Sequence, residues 1–248
     1  MVGDVVPSPA QVRARMRRPT ATYTIIAINV AVFLFEQTLS VRDNYQFVLN
    51  WSLIPSRFTR PSEQLISTFI AGPTSPRILT VITSLFLHGG FAHIALNMLL
   101  LLAIGRMLEL AIGTPRFVLL YTLAGLGSSL AVILLYRHSD SPFIGASGAV
   151  YGVMGGYFLL LPPGPDRTKT IIWMLALILI PALIPARIIQ NLTGSDFLAN
   201  IAHWGHVGGF LTGILTMYLM TLQARRRRAR RYASPYEESP TEPVQPPA

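Results

Sequence analysis

The amino-acid sequence predicts an all-α polytopic membrane protein, a bundle of six transmembrane helices. Composition is the first reason: of 248 residues 51% are hydrophobic and only 12% charged, about half the roughly 25% charge of an ordinary soluble domain. The second is distribution, because the charges gather in the tails and in short gaps between long apolar runs. The third is the length of those runs, since about 20 apolar residues in a helix cross the hydrocarbon core of a bilayer. The mean hydropathy of +0.48 excludes a disordered chain. The lack of any cysteine excludes a small secreted scaffold stapled by disulfides.

Taken in order, the predicted spans are Thr22–Leu39, Leu85–Ile104, Phe117–Leu135, Ser147–Leu161, Ile171–Ile189 and Ile201–Leu222. The first follows a basic stretch and resembles the start of a signal peptide, but it is longer than a usual apolar leader core and ends on Glu36-Gln37. It is therefore read as a retained helix. Residues 41–78 are too long for a simple turn and form a loop with some structure of its own. The fourth span is short for a crossing unless one end starts below the membrane surface. The fifth contains Pro181 and Pro185, which membrane helices tolerate better than soluble ones. Three regions follow: a basic tail over 1–21, the six-helix membrane domain over 22–222, and a tail over 223–248 that is Arg-rich and then Pro- and Glu-rich, the latter part expected to be disordered.

Lysine and arginine set the orientation. With the N-terminus in the cytoplasm, most of the 20 Lys and Arg fall inside, among them Arg13, Arg15, Arg17, Arg18, Arg106, Arg116, Arg167, Lys169 and the tail run from Arg225 to Arg231. An even number of spans returns the C-terminus to the same side, so both termini are expected in the cytoplasm. The net charge of +9 is mostly tail. It fits stop-transfer and anionic-lipid contact better than nucleic-acid binding.

Ionisable and amide side chains inside spans are costly and point to function. The second span carries His88, His93 and Asn97. The fourth opens on Gly145-Ala-Ser147-Gly148, with Tyr151 one turn on, and the sixth carries His203 and His206. In this topology all three helices enter from the outer face, so these groups share one depth despite their separation in sequence. Gly148, Gly152 and Gly156, and Gly205, Gly209 and Gly213, form two Gly-x-x-x-Gly stripes that allow close helix approach. If the stripes face each other, Ser147 and His206 sit side by side. One is then a candidate hydroxyl nucleophile and the other its general base, although a capping role for Ser147 and structural hydrogen bonding for His88 and His203 remain open. No acidic residue is expected at that depth to complete a triad. Donors for an oxyanion would come from the Ser147 N–H at the helix start and from His93 and Asn97, one turn apart. Four of these histidines could hold Zn²⁺ in principle. No cysteine or carboxylate joins them, and a metal would leave the glycine-serine start unexplained.

The motifs Leu87-His88-Gly-Gly-Phe-Ala-His93-Ile-Ala-Leu-Asn97, Gly145-Ala-Ser147-Gly148-Ala-Val-Tyr151-Gly152 and Gly205-His206-Val-Gly-Gly209-Phe-Leu-Thr-Gly213 resemble those of the rhomboid intramembrane serine proteases. Gly105-Arg-Met-Leu-Glu109 followed by Gly113-Thr-Pro-Arg116-Phe is similar to that family's link between its second and third helices. The resemblance covers roughly Thr22 to Leu222 and implies a rhomboid-like bundle of the minimal six-helix bacterial type, in the plasma membrane. It implies Ser147 as nucleophile, His206 as general base, His93 and Asn97 as oxyanion donors, Tyr151 packed on His206, and Gly209 close to the fourth helix. His206 is preferred to His203 because it directly precedes the x-Gly-Gly run. Also implied are transmembrane protein substrates entering between the second and fifth helices, and neither metal nor cofactor. One departure stands out: many members carry a Trp-Arg pair in the first outer loop, where this chain has Leu79-Thr80, with Arg77 the nearest arginine. The alternative function is a catalytically silent relative that binds membrane clients.

Overall fold

The structure, a computed structural model, describes residues 18–59, 77–161, 164, 167–170, 172–173, 176 and 203–233. Among them the regular elements are all helical. The helices are α1 (Thr20–Thr38), α2 (Val41–Trp51), α3 (Ser56–Thr59), α4 (Arg77–Thr83), α5 (Phe91–Leu100), α6 (Arg106–Ile112), α7 (Thr114–Leu135), α8 (Ser147–Phe158) and α9 (His203–Ala233). Among the described residues four stretches are long and apolar enough to cross a membrane: Thr20–Thr38, Phe91–Ile112, Thr114–Leu135 and His203–Arg227. Large apolar side chains such as Leu34, Leu99, Leu134 and Leu215 point outward. That would be an error in water and is the expected surface in lipid. The protein is an integral membrane protein built as a helical bundle.

The second crossing corrects the expected boundaries. It starts at Phe91, not Leu85, because Gly90 takes a φ of +152° that only glycine adopts freely, and the chain before it closes a 3₁₀ turn over Ser84–Phe86. His88 thus sits in the turn before the helix and not inside it. Downstream, a π turn over Leu101–Gly105 joins α5 to α6 without ending the crossing. Of the remaining expected spans, Ser147–Leu161 is an α-helix only over Ser147–Phe158, 12 residues, about 18 Å long. Most of Ile171–Ile189, with Pro181 and Pro185, lies outside the described residues.

α8 is the centre of the bundle. It runs between α7 and α9, and every residue from Gly148 to Gly156 is buried. Both glycine stripes work at this seam. A Cβ on Gly209 would strike the Gly148 carbonyl, and one on Gly213 the Gly152 carbonyl, while on the other side a Cβ on Gly152 would strike Ala124 of α7. With no hydrophobic drive between helices in lipid, such backbone contact is what holds them together.

At the opposite end of the bundle from Ser147, Glu109 ties three helices. Its carboxylate accepts from the N–H groups of Ala21 (2.9 Å) and Thr22 (2.8 Å), the Thr22 hydroxyl (2.7 Å) and the Thr114 hydroxyl (2.7 Å). It thereby satisfies the first turn of α1, where a negative charge meets the positive end of the helix dipole. The residue is only 1% exposed. Glu109→Ala should leave two backbone donors and two hydroxyls unpaired, each costing about 1–3 kcal/mol. Thermal unfolding in detergent should show a fall of several degrees or loss of folded protein, and an unchanged melting temperature would refute this anchoring.

Candidate active site

Ser147 opens α8 at the end of a loop that is tied down on both sides. Leu53 and Phe143 exchange backbone hydrogen bonds (3.1 and 2.8 Å), Ser56 N–H donates to Ser139 O (3.0 Å), and Gly145 N–H donates to Ser84 O (2.8 Å). The Ser56 hydroxyl also donates to Asp140. The segment after α2 and the turn before α5 thus clamp residues 139–145, which fixes where α8 begins. Beyond the end of α7, burial holds the Tyr136 phenol above its usual pKa, and the group reaches the backbone of Trp204 near the start of α9.

The glycine seam brings α9 alongside, and Ser147 Oγ lies 2.8 Å from His206 Nε2 across 59 residues of sequence. His206 is 8% exposed. The Tyr151 ring stacks on its imidazole with centroids 4.3 Å apart and planes 9° from parallel, so the ring is held in one orientation. His203 sits one turn earlier, at the first residue of α9.

His93 and Asn97 lie one turn apart on α5, and one Asn97 amide hydrogen donates to His93 O at 2.9 Å. His93 faces the loop before Ser147: a Cβ on Gly145 would stand 2.6 Å from His93 Cε1 and 2.7 Å from Nε2. Gly145 itself has φ +118°. His88 rests 5.0 Å from His93, centroid to centroid, and its Nδ1 is 3.3 Å from Phe86 O. Gly148 and Gly209 form the α8–α9 contact described above. The structure therefore brings Ser147, His206, Tyr151, His93, Gly145, Gly148 and Gly209 to one locus, with Asn97 one turn along α5 from His93 and His88 behind it.

A pocket of about 30 Å³ opens beside Ser147, lined among others by Ser84, Ser128, Phe143, Gly145 and His206. Its wall mixes apolar side chains with the hydroxyls of Ser84, Ser128 and Ser147, and it is large enough to admit a water. A larger apolar cavity of about 270 Å³ lies between α1, the 3₁₀ turn and α7, with Ile25, Leu85 and Leu126 in its wall, and touches none of these groups. Among the described residues no group of three or more histidines and carboxylates is arranged to hold a metal.

One residue at this end runs against the sequence expectation. Glu36, at the last turn of α1, is 2% exposed, and its Oε2 accepts from the His88 N–H at 3.4 Å. An acidic residue is thus present at this end of the bundle, although it does not reach His206 in the manner of a triad. Only the polar Glu36-Gln37 ending of an apolar run hinted at it in sequence.

Fold and site together define a polytopic membrane protein with a serine and a histidine from separate helices held in bonding distance. A family model described as the Rhomboid domain matches residues 75–223. The chain belongs to the rhomboid family, whose members are typically intramembrane serine proteases. It is 34% identical to RHOMBOID-like protein 4 of Arabidopsis thaliana over 56% of this chain and 33% of that one. It is 29% identical to the rhomboid protease GluP of Bacillus subtilis (strain 168), over 79% of this chain and 34% of GluP. The putative rhomboid protease YdcA of the same bacterium is 27% identical over 59% of this chain and 69% of YdcA. The chain spans roughly a third to under a half of the length of the plant relatives and GluP.

Proposed function

We propose that this protein is an intramembrane serine endopeptidase that hydrolyses peptide bonds of transmembrane proteins near the outer membrane boundary through a Ser147–His206 dyad. The observation that supports it is the 2.8 Å approach of Ser147 Oγ to His206 Nε2 under the Tyr151 ring. Ser147 Oγ attacks the scissile carbonyl while Nε2 takes its proton. The negative oxygen of the tetrahedral intermediate is held by the Ser147 N–H, a first-turn donor without an intrahelical acceptor, and by His93 and the second amide hydrogen of Asn97. The intermediate collapses as His206 returns the proton to the leaving amine. Water then hydrolyses the acyl ester, again through His206. In this reading the protein sits in a bacterial plasma membrane with both termini on the cytoplasmic side and the arginines of α9 on anionic headgroups.

The test is reaction of the purified full chain with a fluorophosphonate probe, alongside cleavage of a model transmembrane substrate. Both should occur in the parent and vanish in Ser147→Ala. Probe labelling of Ser147→Ala would remove Ser147 from the reaction. A parent chain that neither labels nor cleaves yet retains membrane clients would replace the protease with the silent client-binding reading.

The oxyanion assignment makes its own prediction. Asn97→Ala should lower kcat by roughly 10²–10³ with little change in KM, the loss seen when one such donor is removed. A loss under tenfold would take Asn97 out of the oxyanion site.

A further inference from the structure

Glu36 is a carboxyl group at a cost: it is 2% exposed, its Oε1 is buried without a hydrogen-bond partner, and so is Nε2 of neighbouring His88. Burial of such atoms is unfavourable. The one hydrogen bond the carboxyl makes is to a backbone N–H, that of His88. The next N–H along the chain, that of Gly89, donates to His93 Nδ1 at 3.4 Å. Two successive N–H groups of the turn before α5 are therefore spoken for, the first by Glu36 and the second by His93. An imidazole nitrogen that accepts has no proton, so the neutral His93 ring carries its proton on Nε2. Nε2 is the nitrogen on the Gly145 side of the ring, beside the loop that leads into Ser147.

We propose that Glu36 is a positioning residue that, by holding the His88–Gly89 turn, sets the Nε2–H tautomer of His93 and aims that proton at the oxyanion. This rests on the protease reading for its consequence but not for its geometry. Ser84 O and the buried Leu87 fix the start of the turn, but past His88 the backbone is two glycines, Gly89 and Gly90, the second at φ +152° with open space around it. Without the carboxyl oxygen the His88 N–H loses its acceptor, the glycine backbone after it is no longer held in register, Gly89 N–H leaves Nδ1, and the proton distributes over both ring nitrogens.

Glu36→Met tests this, because a side chain of similar length fills the space of the carboxyl but cannot accept from the His88 N–H, and a thermal melt of the variant shows whether the unpaired donor costs the fold as well as the tautomer. Glu36→Gln keeps an oxygen acceptor and serves as the rescue. Expected is a ten- to hundredfold fall in kcat for Glu36→Met at unchanged KM, recovery to within about threefold in Glu36→Gln, and no further loss when Glu36→Met is added to His93→Ala. The deciding readout is ¹⁵N NMR of labelled histidine in the inactive Ser147→Ala chain, where His93 should show a protonated Nε2 and a bare Nδ1, and a mixture once Glu36→Met is added. An unaltered tautomer in Glu36→Met, or additive losses with His93→Ala, overturns the proposal. Because the NMR signal does not need turnover, failure of the protease reading would show as an inert parent chain with the tautomer link intact.

Discussion

His206→Ala should reduce cleavage of a transmembrane substrate by roughly 10⁴-fold or more, to background, as happens when the base of a serine nucleophile is removed. The size follows from the geometry. A serine hydroxyl is a poor nucleophile at neutral pH, and Nε2, 2.8 Å from Oγ, is the base in contact with it. Stacking on Tyr151 at 4.3 Å means that no rotation is needed to bring the ring into line, so its loss removes an oriented base and not a diffusing one. Fluorophosphonate labelling should fall in parallel, since the probe requires the same proton transfer. Groups that act as a unit are strongly non-additive, so Ser147→Ala/His206→Ala should be no slower than the worse single variant. His203→Ala, one turn away at the start of α9, should keep activity within about tenfold. Thermal melting separates chemistry from folding, because the His206 ring is packed and its removal leaves a gap beside Tyr151. The opposite ranking of the two histidines would move the base to His203 and leave the observed contact without a catalytic role.

How much of this was legible in sequence depends on which force set each feature. The first and third spans are placed to within a few residues because hydropathy sets them, whereas the last helix runs on to Ala233, past the expected Leu222. α1 starts at Thr20 where Thr22 was expected, and α7 at Thr114 where Phe117 was expected. The second was displaced because Leu85, Phe86 and Leu87 are as apolar as a span, while its true start is set by the backbone at Gly90. That a serine and two histidines share a depth could be read from topology. That Gly209 and Gly213 meet the carbonyls of Gly148 and Gly152 could not, since a stripe of small residues says that a neighbour comes close and not which one. Glu36 was the largest miss. As one carboxyl at the end of an apolar run it reads as a boundary, and its burial depends on the His88 turn arriving beside it.

Gly145→Ala should be strongly damaging to turnover, because its added methyl points at the His93 ring. The backbone there has φ +118°, a region in which a Cβ is strained by about 1–3 kcal/mol. The added methyl would also stand 2.6 Å from His93 Cε1 and 2.7 Å from Nε2, closer than any real carbon sits. Either the imidazole is pushed away or the loop shifts, and the loop cannot shift freely because Gly145 N–H is bonded to Ser84 O at 2.8 Å and Phe143 is paired with Leu53. Both escapes move His93 away from its proposed place in the oxyanion site, so the expected loss is that of an oxyanion donor, roughly 10²–10³-fold in kcat, together with a lower melting temperature. Gly164→Ala is the control. Its φ of +150° is also positive, yet a Cβ there meets nothing within 4 Å, so it should cost stability and leave turnover standing. If both variants lose stability but Gly145→Ala keeps more than a tenth of the parent rate, the His93 ring is not what the missing Cβ makes room for, and its place in the oxyanion site falls with that result.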